Sequence, residues 1–199
     1  MPSFLKYFLL LLMPVSIAAQ DKNEELVAWD PSSKLTWADY KAKPDPSSDA
    51  AATTTTYLGI EYNMKRDGFT YKISCRFSRN RSWGLHRTDY ILSHEQGHFD
   101  IAEIFARKLH KELADYNFNK RTYPDDLKKI YDRVMREKEA MQDLYDGETN
   151  HSINRKKQAE WLLKIEELLM EYEDYSDYYD SYTISVLPPS RGTASVSPK

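Results

Sequence analysis

The sequence predicts an α+β domain: an N-terminal antiparallel β-region followed by a long helix and two further helices. Three observations carry that expectation. Residues 69–77 alternate Phe69, Tyr71, Ile73, Cys75 and Phe77 with Thr70, Lys72, Ser74 and Arg76, the period of a half-buried strand. Past Trp83 the apolar spacing lengthens to that of a helix. Strand patterns come first and helix patterns second, the order of an α+β domain rather than of a parallel sheet.

The elements follow in chain order. Lys6 precedes an apolar run from Tyr7 to Val15, then the small residues Ser16, Ala18 and Ala19. This is the architecture of a signal peptide over residues 1–19, cut between Ala18 and Gln20. The run is shorter than the roughly 20 apolar residues of a spanning helix, so no stable membrane insertion is expected after cleavage. Export to the periplasm or the medium follows. Cys75 is the only cysteine, so the exported chain folds without an internal disulfide. One domain is expected over residues 20–182, and a disordered tail over 183–199, Pro-rich from Pro188.

Within the domain, a short strand is expected at Leu26–Trp29 and a loop over residues 44–52, rich in Pro, Ser, Asp and Ala. A strand over Thr53–Asn63 presents Leu58, Ile60 and Tyr62 on one face, and Asp67-Gly68 turns it into the strand at 69–77. The first helix starts at Thr88 or Asp89, either of which caps it, and runs to Tyr116. The second starts at Pro124 after Thr122 and ends at Tyr145, stopped by Asp146-Gly147. The third starts near Asn150 or Ser152 and carries Trp161, Ile165, Leu168, Leu169 and Tyr172 on one face. The Tyr-rich acidic segment from Glu171 to Tyr182 extends or frays it.

Composition narrows the function. The chain is 41% hydrophobic and 13% aromatic, enough for a core, and 30% charged with a net charge of −3. Basic and acidic residues are interspersed, which excludes the cationic face of a nucleic-acid binder.

On the first helix, His94 and His98 fall within the apolar stripe of Ile91, Ile101, Ala102, Phe105 and Leu109. Four residues apart they lie about 6 Å apart along the axis on one face, so both imidazoles reach one ion at about 2.0–2.1 Å. Glu95 is rotated about 100° from His94, placed to approach a water at that ion without coordinating it. Zinc lowers the pKa of such a water toward about 7, and a carboxylate takes its proton and passes it to a leaving amine. Glu95 is the expected general base, Zn2+ the expected cofactor, and a peptide or protein the expected substrate.

A third protein ligand is required. The longer pattern, with Gly and His further along the same helix, is absent, because Ile101 and Ile104 occupy those places. His110 is on the same helix but roughly 18 Å on. His151 is the leading candidate, brought back by a chain reversal at Gly147. Asp146 and Glu148 compete for the role or orient a ligand instead. Tyr145 and Tyr123 are candidates for stabilising an oxyanion, although 15 tyrosines give no basis to choose.

Three blocks together resemble the largely uncharacterised bacterial family of predicted secreted zinc-dependent proteases. They are Leu92-Ser93-His94-Glu95-Gln96-Gly97-His98-Phe99-Asp100-Ile101-Ala102-Glu103, the upstream Leu35-Thr36-Trp37-Ala38-Asp39-Tyr40, and the downstream Tyr145-Asp146-Gly147-Glu148-Thr149-Asn150-His151. The resemblance spans residues 35–161 and is most specific in the histidine block. It implies a zincin-like fold, with a sheet above the histidine helix and a substrate cleft between them, and it favours His151 as third ligand. It supplies no substrate. Two alternatives stand beside a metallopeptidase: a non-catalytic exported binding module with a structural metal, and a metal-free helical interaction domain.

Overall fold

The computed structural model describes residues 24–65, 68–178 and 182–185. The expected signal peptide, residues 66–67 of the hairpin turn, and residues 186–199 of the expected tail lie outside the described residues. The fold is α+β, with antiparallel strands in the N-terminal half followed by three helices.

The sheet is built on β4 (Gly68–Ser78), whose inward residues Phe69, Tyr71, Ile73, Cys75 and Phe77 are all buried, as the alternation requires. β3 (Thr56–Lys65) pairs with it antiparallel, setting Leu58 opposite Cys75, Ile60 opposite Ile73 and Tyr62 opposite Tyr71. The other edge of β4 is shared end to end by β1 (Leu26–Ala28) and β6 (Tyr182–Ser185). Residues 183–185, expected to begin a disordered tail, are therefore in a strand. Tyr182 also stacks on Tyr71 and packs on His110, which holds this segment to the sheet. A separate two-stranded ribbon joins β2 (Ala52–Thr53) to β5 (Trp83–Gly84).

Helix α1 (Asp89–Ala114) is capped by Thr88, whose hydroxyl accepts from the Ile91 amide. It is buried all round over its middle: each residue from Phe99 to Arg107 is buried. One side lies on the sheet, the others on α2 (Tyr123–Thr149), α3 (Arg155–Glu171) and the 3-10 turn Glu173–Tyr175. The buried polar groups on its side away from α2 are partnered, as low-dielectric burial demands. Asp100 accepts from Trp29 Nε1 (2.7 Å), Gln96 Nε2 (2.7 Å) and Lys34 Nζ (3.2 Å). Glu103 accepts from Arg107 Nε (3.0 Å) and from the Tyr178 hydroxyl. Arg107 also donates to the Leu169 carbonyl at 2.7 Å.

Two sequence expectations are corrected. α2 does not stop at Asp146-Gly147 but runs to Thr149, because a helix tolerates a solvent-facing glycine and nothing crowds Gly147. The chain turns instead at Asn150, His151 and Ser152, three successive residues at positive φ (49°, 50° and 72°). α3 then starts at Arg155, capped by Asn154, whose side chain accepts from the Lys157 amide. Its inward face includes Trp161 and Ile165, both buried.

α2 approaches α1 at Gly97. A Cβ there would lie 2.5 Å from the Tyr145 hydroxyl oxygen and 2.9 Å from the ring carbon that bears it. Gly97→Ala is expected to lower stability by about 1–3 kcal/mol through overpacking. Gly147→Ala, in the same helix pair but with nothing within 4 Å, is expected to raise it by about 0.4–1 kcal/mol. Urea midpoints of the two variants should move in opposite directions, and a neutral Gly97→Ala would contradict the close approach.

Candidate metal centre

The approach of α2 to α1 sets two i, i+4 pairs against each other. His94 and His98 project from α1, and Gln142 and Asp146 project from α2. The His94 Nε2 and His98 Nε2 atoms are 3.2 Å apart, and each is 3.1 Å from Asp146 Oδ1. These three are the one group of histidine, cysteine and carboxylate donors among the described residues that converges closely enough to hold a metal ion. A tetrahedral ion with ligands at 2.0–2.1 Å spaces its ligand atoms about 3.3–3.4 Å apart, so the triangle is nearly the face such an ion needs.

The hydrogen bonds around the triangle fit the same reading. Gln142 spans His98, its Nε2 donating to the His98 carbonyl (2.9 Å) and its Oε1 lying 2.5 Å from His98 Nδ1. A carbonyl oxygen only accepts, so Nδ1 carries a proton and donates. In the neutral ring, Nε2 then presents a lone pair to the Asp146 oxygen. Two lone pairs at 3.1 Å require a cation at that point, either a metal ion or a second proton on the imidazole. Burial works to lower the His98 pKa, but the Asp146 bond and charge outweigh it and hold it above the ordinary value. Burial likewise works to raise the Asp146 carboxyl, and the bonds and charges of both imidazoles hold it well below the carboxylate range instead. His94 Nδ1 is buried without a partner. That ring is held by stacking on Tyr145, centroids 4.5 Å apart.

The other residues singled out in the sequence fall as follows. Glu95 is buried in the wall of a cavity of about 520 Å³ that opens over the triangle. The cavity lies between the Ala50–Thr56 segment on one side and residues of α1 and α2, including Lys138, Glu139, Gln142 and Asp143, on the other. His151 lines it too, 72% exposed, with Nδ1 3.6 Å from Asp146 Oδ1. It is beside the triangle rather than a corner of it. Glu148 points away, accepting from Trp161 Nε1 at 2.9 Å. The Tyr145 hydroxyl donates to the His94 carbonyl (3.2 Å), and burial first, then the charges of Glu95 and Asp146, push its phenol pKa up. Tyr123 stacks on Phe118 at the far end of α2. His110 faces the Tyr71 hydroxyl at 3.0 Å, well removed from the triangle.

Three neighbours of the site were not anticipated. Gln142 holds His98, Thr54 donates to Glu95 Oε2 at 2.6 Å, and Tyr40 bonds Thr54 at 2.8 Å. Gln142 precedes Asp146 by one helical turn, a spacing that would have paired them on one face had α2 been extended past Tyr145.

A family model described as "Bacterial protein of unknown function (DUF922)" matches residues 20–152. The chain belongs to this family. The matched span of this DUF922 chain contains every donor of the triangle together with Tyr40, Thr54, Glu95 and His151. No curated protein and no solved structure matches the chain.

The triangle makes a definite statement about ligands. His94→Ala, His98→Ala and Asp146→Ala should each weaken binding of a divalent transition metal by more than about 100-fold, beyond the 10–100-fold cost of losing an outer partner. His151→Ala should keep metal at the wild-type stoichiometry. Elemental analysis after dialysis checks both, and metal lost from His151→Ala but kept in Asp146→Ala would exchange the two roles.

Proposed function

We propose that this chain is an exported zinc-dependent peptidase in which His94, His98 and Asp146 hold the ion and Glu95 is the general base. The observation that carries the reading is the placement of the Glu95 carboxylate beside a two-imidazole, one-carboxylate triangle in the wall of a cavity. Two imidazoles and a carboxylate suit zinc and also iron(II). The adjacent carboxylate, held by a hydroxyl and facing the cavity, favours hydrolysis and hence zinc. Bound there, zinc supplies a Lewis acid that acidifies water and polarises a carbonyl.

The chain's own residues do the rest. Glu95 Oε1, which makes no hydrogen bond to protein among the described residues, takes a proton from water as its oxygen adds to the peptide carbonyl carbon. The same carboxyl then delivers that proton to the amide nitrogen as the C–N bond breaks. The cavity, bounded by the Ala50–Thr56 segment, takes an extended peptide. Export rests on the apolar run Tyr7–Val15 and its small-residue boundary. No helix among the described residues is long and apolar enough to cross a membrane.

A second reading is favoured by one observation, the position of His151 beside the triangle. If that imidazole turned in as a fourth ligand, the shell would close and the site would be structural, in a non-catalytic exported binding module.

Glu95→Gln separates the two. On the peptidase reading it keeps zinc at wild-type stoichiometry and loses about 10²–10⁴-fold in cleavage of a diverse peptide pool. Chelation abolishes cleavage by the wild type, and added zinc restores it. Zinc-loaded wild type that cleaves no member of the pool, with His151 required for metal retention, establishes the structural reading.

A further inference from the structure

We infer that Tyr40 and Thr54 are positioning residues that hold the Glu95 carboxylate at the donor triangle through a two-hydroxyl chain. This deepens the peptidase reading and rests on it for its catalytic meaning.

The direction of the chain follows from the donors available. Glu95, as a carboxylate, only accepts, so the single proton of the Thr54 hydroxyl goes to Glu95 Oε2 at 2.6 Å. Thr54 Oγ1 must then accept from the Tyr40 hydroxyl at 2.8 Å. Burial first, then the Glu95 charge, raise the Tyr40 phenol pKa, so it remains a donor. A hydroxyl that is itself receiving a bond donates more strongly. One carboxylate oxygen is thus fixed and the other left to the cavity.

Both hydroxyls are themselves fixed. The Tyr40 ring is buried between Trp37 (centroids 4.9 Å) and Phe77 (5.1 Å). Its carbonyl accepts from Arg87 Nη2 (3.2 Å), and the next amide, of Lys41, donates to the Arg79 carbonyl (2.9 Å). Thr54 sits in the link between β2 and β3. The following residue donates its amide to the buried Ser82 hydroxyl (2.9 Å) and accepts at its carbonyl from Ser78 (2.9 Å). Trp37 packs against the ribbon so tightly that a Cβ on Gly84 would lie 2.4 Å from its ring. The segment Leu35–Tyr40, otherwise without a task in the site, therefore supports the ribbon and supplies the outer hydroxyl. A freely rotating glutamate would spend much of its time away from the triangle, and holding it in the reactive rotamer favours the proton transfer.

The test uses the full mature chain with Thr54→Val, Thr54→Ser and Tyr40→Phe. Zinc content is expected to be unchanged in all three. Cleavage by Thr54→Val should fall about tenfold or more in kcat with KM unchanged, Tyr40→Phe should fall less, and Thr54→Ser should return near wild type. Independently of activity, urea midpoints of metal-free Thr54→Val, Glu95→Ala and the joint variant should be non-additive, the joint shift being smaller than the sum. Additive shifts, or an unchanged kcat in Thr54→Val of an enzyme that cleaves, overturn the inference. A zinc-loaded wild type that cleaves nothing sinks the peptidase reading alone, because the urea cycle still decides whether the hydroxyl chain holds Glu95.

Discussion

The distance between α1 and α2 at Gly97 governs the site. The Tyr145 ring occupies the space a side chain would take, stacks on His94, meets His98 edge-on with centroids 5.1 Å apart, and donates its hydroxyl to the His94 carbonyl. Burying a ring of this size contributes about 1.5–3 kcal/mol, and each aromatic pair about 0.5–1.5 kcal/mol more. With the helices held at that separation, the neighbours of Tyr145 on α2 reach the histidines: Asp146 one residue on, Gln142 three residues back. A wider gap would leave Asp146 out of range of both imidazoles, and the triangle would reduce to a pair.

The histidine helix does two jobs on opposite faces. His94 and His98 face α2 and the cavity. Gln96, Asp100, Glu103 and Arg107, spaced by four, three and four residues, face the other way and fasten residues 29–35 and 173–178. Gln96 accepts from the Leu35 amide at 2.8 Å and Asp100 from Trp29 and Lys34, fixing the N-terminal segment. Glu103 and Arg107 hold Tyr178 and Glu173 after α3. Buried charges in such a network cost heavily when one partner is lost, because the other is left unpaired away from water. The polar residues that follow His98 in the sequence are thus explained by architecture, while the two histidines and Glu95 line the cavity. A site carried on a helix so enclosed is held rigidly, which is what tight convergence of three donors requires.

The turn after α2 holds the positive-φ non-glycine residues found among the described residues. Asn150, His151 and Ser152 all adopt left-handed φ, a region non-glycine residues enter at some cost. The turn is secured by the His151 amide donating to the Asp146 carbonyl (2.9 Å), the Asn154 amide to that of Thr149 (2.7 Å), and the Tyr90 hydroxyl to that of Ser152 (2.7 Å). Asp146 is therefore tied through its main chain to the turn that displays His151, which keeps that imidazole at the cavity mouth.

The sequence by itself determined what depends on neighbours along the chain. The alternation of Phe69 to Phe77 gave the buried face of β4, and Thr88 marked the start of α1. The His94-Glu95-x-x-His98 spacing placed two imidazoles on one helix face with a carboxylate beside them. Local geometry alone fixes such features, since helix and strand periods are set by the backbone. The third corner of the triangle and the hydroxyls behind Glu95 were decided only by tertiary structure. Asp146 and Glu148 looked alike as acids near a glycine, and Gly147 looked like a helix stop. Nothing crowds Gly147, so α2 runs on, and Tyr145 packed into the notch at Gly97 sets Asp146 against the histidines, while Glu148 goes to Trp161. Tyr40 and Thr54 come from segments 55 and 41 residues before Glu95, whose meeting depends on how the ribbon folds over the sheet edge. No spacing along the chain records that approach, because it is set by which surfaces pack and not by the period of any one element.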